Sequence, residues 1–273
     1  MARSRKARRV TASSAPDLTH GTIVVLSGGG FDAMNPPEVR ARMDQYIADV
    51  NADSYVKAGT AGKGLAFKLL PNQRTKHLHQ TKWRALCQVL RTTAPAPLIL
   101  VGHSNGGAAA VDLARCLEQQ GTTVDLLFSA DSVLTLDDNG DVNAVPSNVS
   151  LNVNSYVIPT SAWLLAPFPI GRRNRRKTGP PLAGIMNAGL EYNLPGAVAH
   201  RNAFYDVAGG DRQASGVYKY PHLLLEVTLA VLRGDDAGSI ASAVEASLRI
   251  LAKKARISID LEQASGRKVL PKL

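Results

Sequence analysis

Residues 98–119 contain the feature that most restricts how this chain can fold. The apolar run LILV at residues 98–101 is followed directly by GHSNG at residues 102–106, and residues 108–119 are helix formers. This order predicts a buried strand, a tight turn and a helix, and the small residues after the turn allow that helix to lie close to its sheet. Such a turn would hold the side chain of Ser104 away from the sheet.

Apolar runs alternate with helical spacings along the rest of the chain. Continuous apolar runs are typical of strands buried on both faces, and alternation with helices predicts βαβ units. We therefore expect an α/β fold with a mostly parallel sheet and helices on both faces. Strands are expected at residues 21–27, 54–57, 98–101, 124–128, 149–157 and 203–208, helices at 38–50, 75–92, 108–119, 221–232 and 237–255, and an edge strand or extended tail near 257–261.

The length and composition fit one large domain with a real core. The chain has 273 residues, of which 45% are hydrophobic and 20% charged, and this balance excludes disordered, collagenous and coiled-coil classes. We expect a tail at residues 1–20, a domain at 21–255 and an extension at 256–273. Residues 159–195 are rich in Pro and Gly without a clear period, so a lid-like insertion is expected there.

The two cysteines and the apolar runs limit the protein class further. Cys87 and Cys116 have no paired CxxC spacing, so the sequence favours two buried thiols on helices over a disulfide framework or a zinc site. No HExxH pair occurs either, and we expect neither a metal nor a cofactor. No run approaches the roughly 18 apolar residues of a membrane span, so we expect a soluble or peripheral protein.

The positive charge lies in two short runs. The net charge is +10, and five cations between Arg3 and Arg9 and five between Arg172 and Lys177 account for all of it. Neither run contains an aromatic residue, so nucleic-acid binding ranks below contact with an anionic membrane. The first run lacks the apolar core of a secretory signal but fits an organellar transit peptide or a solvated tail. The second run follows the apolar segment 163–170 and fits a solvated loop as well as a contact with anionic lipid. A cytoplasmic or peripheral membrane location is favoured.

The chemistry of a serine in such a turn indicates nucleophilic catalysis. A hydroxyl must be presented to a carbonyl and must lose its proton to a base, and a strained turn needs glycine at Gly102 and Gly106. These residues resemble the α/β-hydrolase superfamily, and the form GHSNGG is similar to its lipase and esterase branch. The resemblance covers the element order over residues 22–232.

The resemblance implies an oxyanion hole and an acid. The backbone N–H of Asn105 would be one donor, and Gly29 or Gly30 in a lipase-like loop ending at Phe31 would supply the other, although that loop also fits an ordinary Gly-rich turn. The acid is expected at Asp131, directly after the strand that follows the nucleophile helix. The competing acids are Asp137, Asp138, Asp141, Asp206 and Asp211.

The resemblance places the base near the C-terminal end, where His222 precedes an apolar helix. His200 is the second candidate, and His20, His77, His79 and His103 fit the position less well. We expect a Ser-His-Asp esterase or lipase with an apolar acyl group. The expected substrate contacts are His103, Phe31, Trp163, Leu164, Leu165, Phe168 and Ile170. The alternative is a non-catalytic protein of the same fold that uses its basic segments to bind membrane or nucleic acid.

Overall fold

One eight-stranded sheet organises the part of the chain that the structure describes. The computed structural model describes residues 21–26, 37–59, 66–70, 85–90, 97–132, 145–158, 185–191, 222–255, 259–263 and 266–270. The strands are β1 (Thr22–Leu26), β2 (Ala66–Leu70), β3 (Leu98–His103), β4 (Val124–Ala130), β5 (Val149–Ile158), β6 (Ile185–Glu191), β7 (Ile259–Gln263) and β8 (Gly266–Leu270). Their order in the sheet is β2-β1-β3-β4-β5-β6-β7-β8.

Parallel pairing runs from β2 to β6, and the last two strands are antiparallel. This confirms the expected mostly parallel sheet. The helices are α1 (Pro37–Ala52), α2 (Ser54–Gly59), α3 (Asn105–Glu118), α4 (His222–Leu232) and α5 (Ala237–Ala255), and residues 85–90 are also helical. No helix within these described ranges is long and apolar enough to cross a bilayer.

The core has two layers, one on each face of the sheet. Successive residues of β1 alternate between them: Ile23 and Val25 contact the side covered by α1, α2, α4 and α5, and Val24 and Leu26 contact the side covered by α3 and residues 85–90. All four side chains are buried. Helices on both faces therefore explain why the strands are continuous apolar runs rather than alternating ones.

Residues 54–57 are helical, which makes the expected second strand wrong. Asp53 precedes α2, and its Oδ1 accepts hydrogen bonds from the backbone N–H groups of Tyr55 (2.9 Å) and Val56 (3.2 Å). This side chain satisfies N–H groups that have no partner inside the helix, so the local capping outweighs the strand preference of the apolar residues. The strand next to β1 is instead β2.

Polar residues of β5 are buried on the sheet. The alternation of Asn and Ser with apolar residues predicts a strand, and β5 forms there, but alternation ordinarily also predicts one solvated face. Asn152 and Asn154 are 1% and 0% exposed. β5 lies between β4 and β6, so it is a central strand of the sheet.

The C-terminal part of the sheet contains one strand that was not expected, β6, and β7 confirms the strand expected near residues 257–261. β6 forms at residues 185–191, within the segment 159–195 that showed no clear period in the sequence, and the lid-like insertion stays a prediction. The extension at 256–273 contains β7 and β8, which pair with β6 and with each other at the sheet edge. Both strands therefore belong to the same sheet as β3. The expected strand at 203–208 lies outside the described residues.

A disulfide joins Cys87 to Cys116, so the expectation of two thiols is wrong. Their Cα atoms are 6.2 Å apart although 29 residues separate them in the chain. Both side chains contact the same core layer, where residues 85–90 and α3 lie on one face of the sheet. The bond closes a loop that contains β3, Ser104 and most of α3.

Removing this disulfide should lower the free energy of unfolding. For a loop of 29 residues, the loss of chain entropy in the unfolded state corresponds to about 3–4 kcal/mol. Denaturant titration of the Cys87→Ala/Cys116→Ala variant against the oxidised wild type measures this difference. Reductant should shift the wild-type midpoint in the same direction and leave the variant unchanged, and equal midpoints for the oxidised wild type and the variant would refute the prediction.

Candidate active site

Ser104 lies in a sharp turn between β3 and α3. Its backbone angles are φ 56 and ψ −127, in a region that residues with a side chain rarely adopt. Ser104 stands at the N-cap position of α3, where a serine side chain usually accepts a hydrogen bond from the first helical turn. Within the described residues its side chain makes no such capping hydrogen bond. The hydroxyl of Ser104 therefore does not cap α3.

Glycine is required on both sides of this turn because the backbones approach closely. A Cβ on Gly102 would lie 2.3 Å from the carbonyl oxygen of Gly106 and 2.6 Å from the Cα of Gly107. A Cβ on Gly107 would lie 2.7 Å from both the Cβ and the Oγ of Ser132. Contacts under 3 Å are not tolerated between these atoms, so only glycine fits. The expected need for glycine at Gly102 has this physical basis.

Asp131 lies beside the turn, at the end of the neighbouring strand. β3 and β4 are parallel, with His103 opposite Ala130, and the backbone N–H of Ser104 donates to the carbonyl oxygen of Ala130 at 3.0 Å. Neighbouring strands lie about 4.8 Å apart, so the residue after each strand end is close to the other. Asp131 is fully buried. The carboxylate and the serine therefore leave the same edge of the sheet on adjacent strands.

The backbone of Asp131 is held by the next strand. Its φ is 40, and its N–H donates to the carbonyl oxygen of Ser155 on β5 at 2.6 Å. Ser104 and Asp131 are the two residues other than glycine with positive φ in the described part of the chain. Unusual backbone angles of this kind concentrate at functional sites. The other candidate acids, at residues 137, 138, 141, 206 and 211, lie outside the described residues.

His222 is the first residue of α4. Leu223, Leu224 and Val227 of this helix contact the core layer that also contains Phe128 and Ala130 of β4. α4 thus lies on the face of the sheet beneath the strand that ends at Asp131. The side chain of His222 lies outside the part of the chain that the structure describes, as do His20, His77, His79 and His200, so its role as the base stays a prediction.

The proposed oxyanion donors are described in part. Asn105 is the first residue of α3, at the positive end of the helix dipole, and the N–H of Gly107 donates to the carbonyl oxygen of Ser104 at 2.9 Å. The loop with Gly29, Gly30 and Phe31 lies outside the described residues. The same holds for the expected substrate contacts Trp163, Leu164, Leu165, Phe168 and Ile170. His103 is described and is buried; its expected contact with substrate remains a prediction.

Sequence analysis missed two residues that shape the site. Ser132 contacts the start of α3 at Gly107, and Ser155 holds Asp131 through its backbone carbonyl. A backbone carbonyl gives no signal in the residue type. Ser132 could have been found only as the residue next to the expected acid.

Comparison with known proteins adds one family match. Residues 78–141, which include β3, Ser104, β4 and Asp131, match the model of the Thioesterase domain family. No curated protein matches the chain.

Two solved structures are similar to the chain at low identity. One is described as "the putative cell surface hydrolase from Lactobacillus plantarum WCFS1", at 13% identity and a TM-score of 0.44, covering 80% of this chain and 93% of that one. The other is the RedJ thioesterase from the prodiginine biosynthetic pathway in Streptomyces coelicolor, at 16% identity and a TM-score of 0.35, covering 71% and 93%.

Replacing Gly102 by alanine should destabilise the turn by about 3 kcal/mol or more, because the added Cβ meets backbone atoms that cannot move independently. The matched control is Gly121→Asn. Gly121 also has a positive φ, of 68, but nothing lies within 4 Å of its Cβ position, so this change should cost about 1 kcal/mol or less. Chemical denaturation measures both variants, and equal losses of stability would contradict the close approach at Gly102.

Proposed function

We propose that this chain is a serine hydrolase of the α/β-hydrolase superfamily that forms an acyl-enzyme on Ser104. The family match and the fold support hydrolysis of an ester or thioester bond. One observation carries the proposal: Ser104 occupies a strained turn at the carboxyl end of β3, next to the buried Asp131, and makes no capping hydrogen bond within the described residues. A serine with a purely structural role at a helix start needs neither the strain nor the carboxylate.

The proposed reaction has two steps at one carbonyl carbon. The Oγ of Ser104 attacks the carbonyl carbon while His222 takes the hydroxyl proton, and Asp131 orients and stabilises the imidazolium. The N–H of Asn105 and one from Gly29 or Gly30 hold the oxyanion. Collapse breaks the bond to the alcohol or thiol, which receives the proton from His222. Water, deprotonated by His222, then attacks the acyl-enzyme and releases the carboxylic acid.

The substrate proposal has two versions that differ in the leaving group. The apolar residues near Trp163 in the sequence favour an ester or lipid with an apolar acyl chain, contacted by Trp163, Leu164 and Phe168. The match to the Thioesterase domain favours a thioester instead. A thiol with a pKa near 8.5 leaves more easily than an alcohol, so thioester cleavage depends less on proton donation by His222.

The alternative is a protein of the same fold without turnover. In that case the cationic runs at Arg3–Arg9 and Arg172–Lys177 would bind an anionic membrane or nucleic acid. The retention of a strained Ser104 beside a buried Asp131 favours the enzyme, because strain at a site without chemistry destabilises the fold and brings no benefit.

A fluorophosphonate probe should label the wild type at Ser104. Labelling should be lost in Ser104→Ala and strongly slowed in His222→Ala, since the probe reacts only with an activated hydroxyl. Ser150→Ala is the matched control, because Ser150 is an exposed serine on β5 and its removal should leave labelling unchanged. Folded wild type that is not labelled would favour the non-catalytic alternative.

Replacing Asp131 by asparagine should lower kcat by about 10³- to 10⁴-fold, because the amide would hold the imidazole in the wrong tautomer. Steady-state hydrolysis of a chromogenic ester measures this effect. Activity within tenfold of the wild type would transfer the role of the acid to one of the other candidates.

The leaving group and chain length can be measured together. We expect a series of acyl chains from two to sixteen carbons, each as oxyester and thioester, to give a kcat/KM that rises with chain length, by up to about fourfold per buried methylene at roughly 0.8 kcal/mol each. A strong preference for acetyl esters would exclude the lipase version, and a preference for thioesters at every length would favour the thioesterase version.

A further inference from the structure

The two hydroxyl groups of Tyr46 and Thr228 form a buried contact between distant parts of the chain. The Oη of Tyr46 on α1 lies 2.8 Å from the Oγ1 of Thr228 on α4, at a sequence separation of 182. Both side chains are fully buried. Burial raises the pKa of the Tyr46 hydroxyl above its usual value, so the group stays protonated and can donate. The contact is therefore a neutral hydrogen bond inside the core.

This contact fixes the position of α4 more sharply than the apolar packing does. The buried face of α4 otherwise consists of Leu223, Leu224, Val227 and Leu232. Apolar contacts are non-directional, so a helix held by them alone tolerates small shifts along its axis. A hydrogen bond between two buried hydroxyls is directional, and leaving either group without a partner carries a desolvation penalty. The Tyr46–Thr228 pair therefore fixes the rotation of α4 about its axis and its position along that axis.

A second polar contact holds the other end of α4. The guanidinium of Arg233, directly after the helix, lies 3.1 Å from Oδ2 of Asp53 and 5.9 Å from the ring centroid of Tyr55. Asp53 is itself fixed as the cap of α2. Because Arg233 is partly exposed, this ion pair is screened by water and is weaker than the buried pair. Both contacts hold α4 against the α1–α2 segment.

We propose that Tyr46 and Thr228 are positioning residues that set where His222 stands relative to Ser104. Thr228 lies six residues after His222 on the same helix, which corresponds to about 9 Å along the axis. Any shift of α4 at Thr228 is transmitted to its first residue, since a helix of this length moves as a rigid body. Proton transfer from a serine to an imidazole needs a heavy-atom distance of about 2.6–3.2 Å, so a small displacement slows it.

This inference rests on the proposed function, because it assigns the pair a role through His222. Two variants can distinguish an effect on the position of His222 from an effect on the stability of the fold. Tyr46→Phe leaves the Thr228 hydroxyl buried without its partner, whereas Tyr46→Phe combined with Thr228→Val replaces both partners by groups of similar shape. Stability should fall in the single variant and recover in the double variant. Catalysis should fall in both, because neither contains the directional contact.

The first test measures kcat, KM and the rate of fluorophosphonate labelling in these variants. We expect kcat and the labelling rate to fall by about 10- to 100-fold in both, with KM within twofold. Thr228→Ser alone keeps both hydroxyls and should retain wild-type rates. Val50→Ala is the matched control. It removes buried methyl groups one helical turn from Tyr46 on α1, so it should lower the thermal midpoint and leave kcat unchanged well below that midpoint.

The second test removes His222. If the pair acts through this histidine, Tyr46→Phe should have no further effect on the residual labelling rate of His222→Ala, so the two changes should be non-additive. An additive loss would overturn the inference, as would wild-type rates in folded Tyr46→Phe and in the double variant. The proposed function would fail in a different way: the wild type would not be labelled, or His222→Ala would be labelled at the wild-type rate. Either of these results would refute both proposals.

Discussion

The close approach of the backbone at Gly102 to the first turn of α3 is the constraint on which the candidate site depends. With no side chain at Gly102, Gly106 or Gly107, the helix begins three residues after the strand glycine and lies directly against the sheet. Ser104 must then adopt a positive φ, which costs roughly 1–2 kcal/mol in a residue with a Cβ. Its backbone N–H and carbonyl both make hydrogen bonds, to Ala130 and Gly107, and these bonds help to hold the strained geometry.

Strand pairing extends this constraint from the serine to the aspartate. The register of β3 and β4 brings His103 opposite Ala130, so the residues that follow them leave the sheet side by side. Asp131 in turn is tied to β5 through Ser155. Three neighbouring strands therefore position two side chains, and the position of each depends on the rigidity of the sheet rather than on a loop. A site built on strand ends holds its groups more precisely than one built on flexible segments.

The proposed base, His222, is not at a strand end but is the first residue of α4, a helix on one face of the sheet. α4 is packed by leucine and valine, and its polar contacts to α1 and Asp53 lie at its middle and its end. The proposed machinery thus combines a rigid strand-borne pair with a helix-borne partner, and we propose that the buried hydrogen bond between Tyr46 and Thr228 sets the position of that partner. Disruption of that bond would change the chemistry without changing the fold, because the apolar packing of α4 is retained.

Much of this arrangement follows from local sequence. The run from Leu98 to Gly107 determines a strand, a turn and a helix with Ser104 at the bend, since apolar residues, glycines and small residues act on their immediate neighbours. The continuous apolar runs of β1 and β3 likewise determine a sheet covered on both faces. Asp131 was expected as the acid from the family resemblance and its place after β4, and this role stays a proposal. Where sequence analysis was wrong, at residues 54–57, a capping side chain at Asp53 decided between two local structures.

Only the tertiary structure decided which distant segments meet. Three contacts join residues that are far apart in the chain: the disulfide between Cys87 and Cys116, the pairing of β7 with β6, and the hydrogen bond between Tyr46 and Thr228. The burial of Asn152 and Asn154 depends on which elements cover them. Periodicity and residue type report on the nearest few residues, because they reflect backbone sterics and side-chain direction within one element. Contacts between elements depend on how all elements pack at once, so no single stretch of sequence contains them.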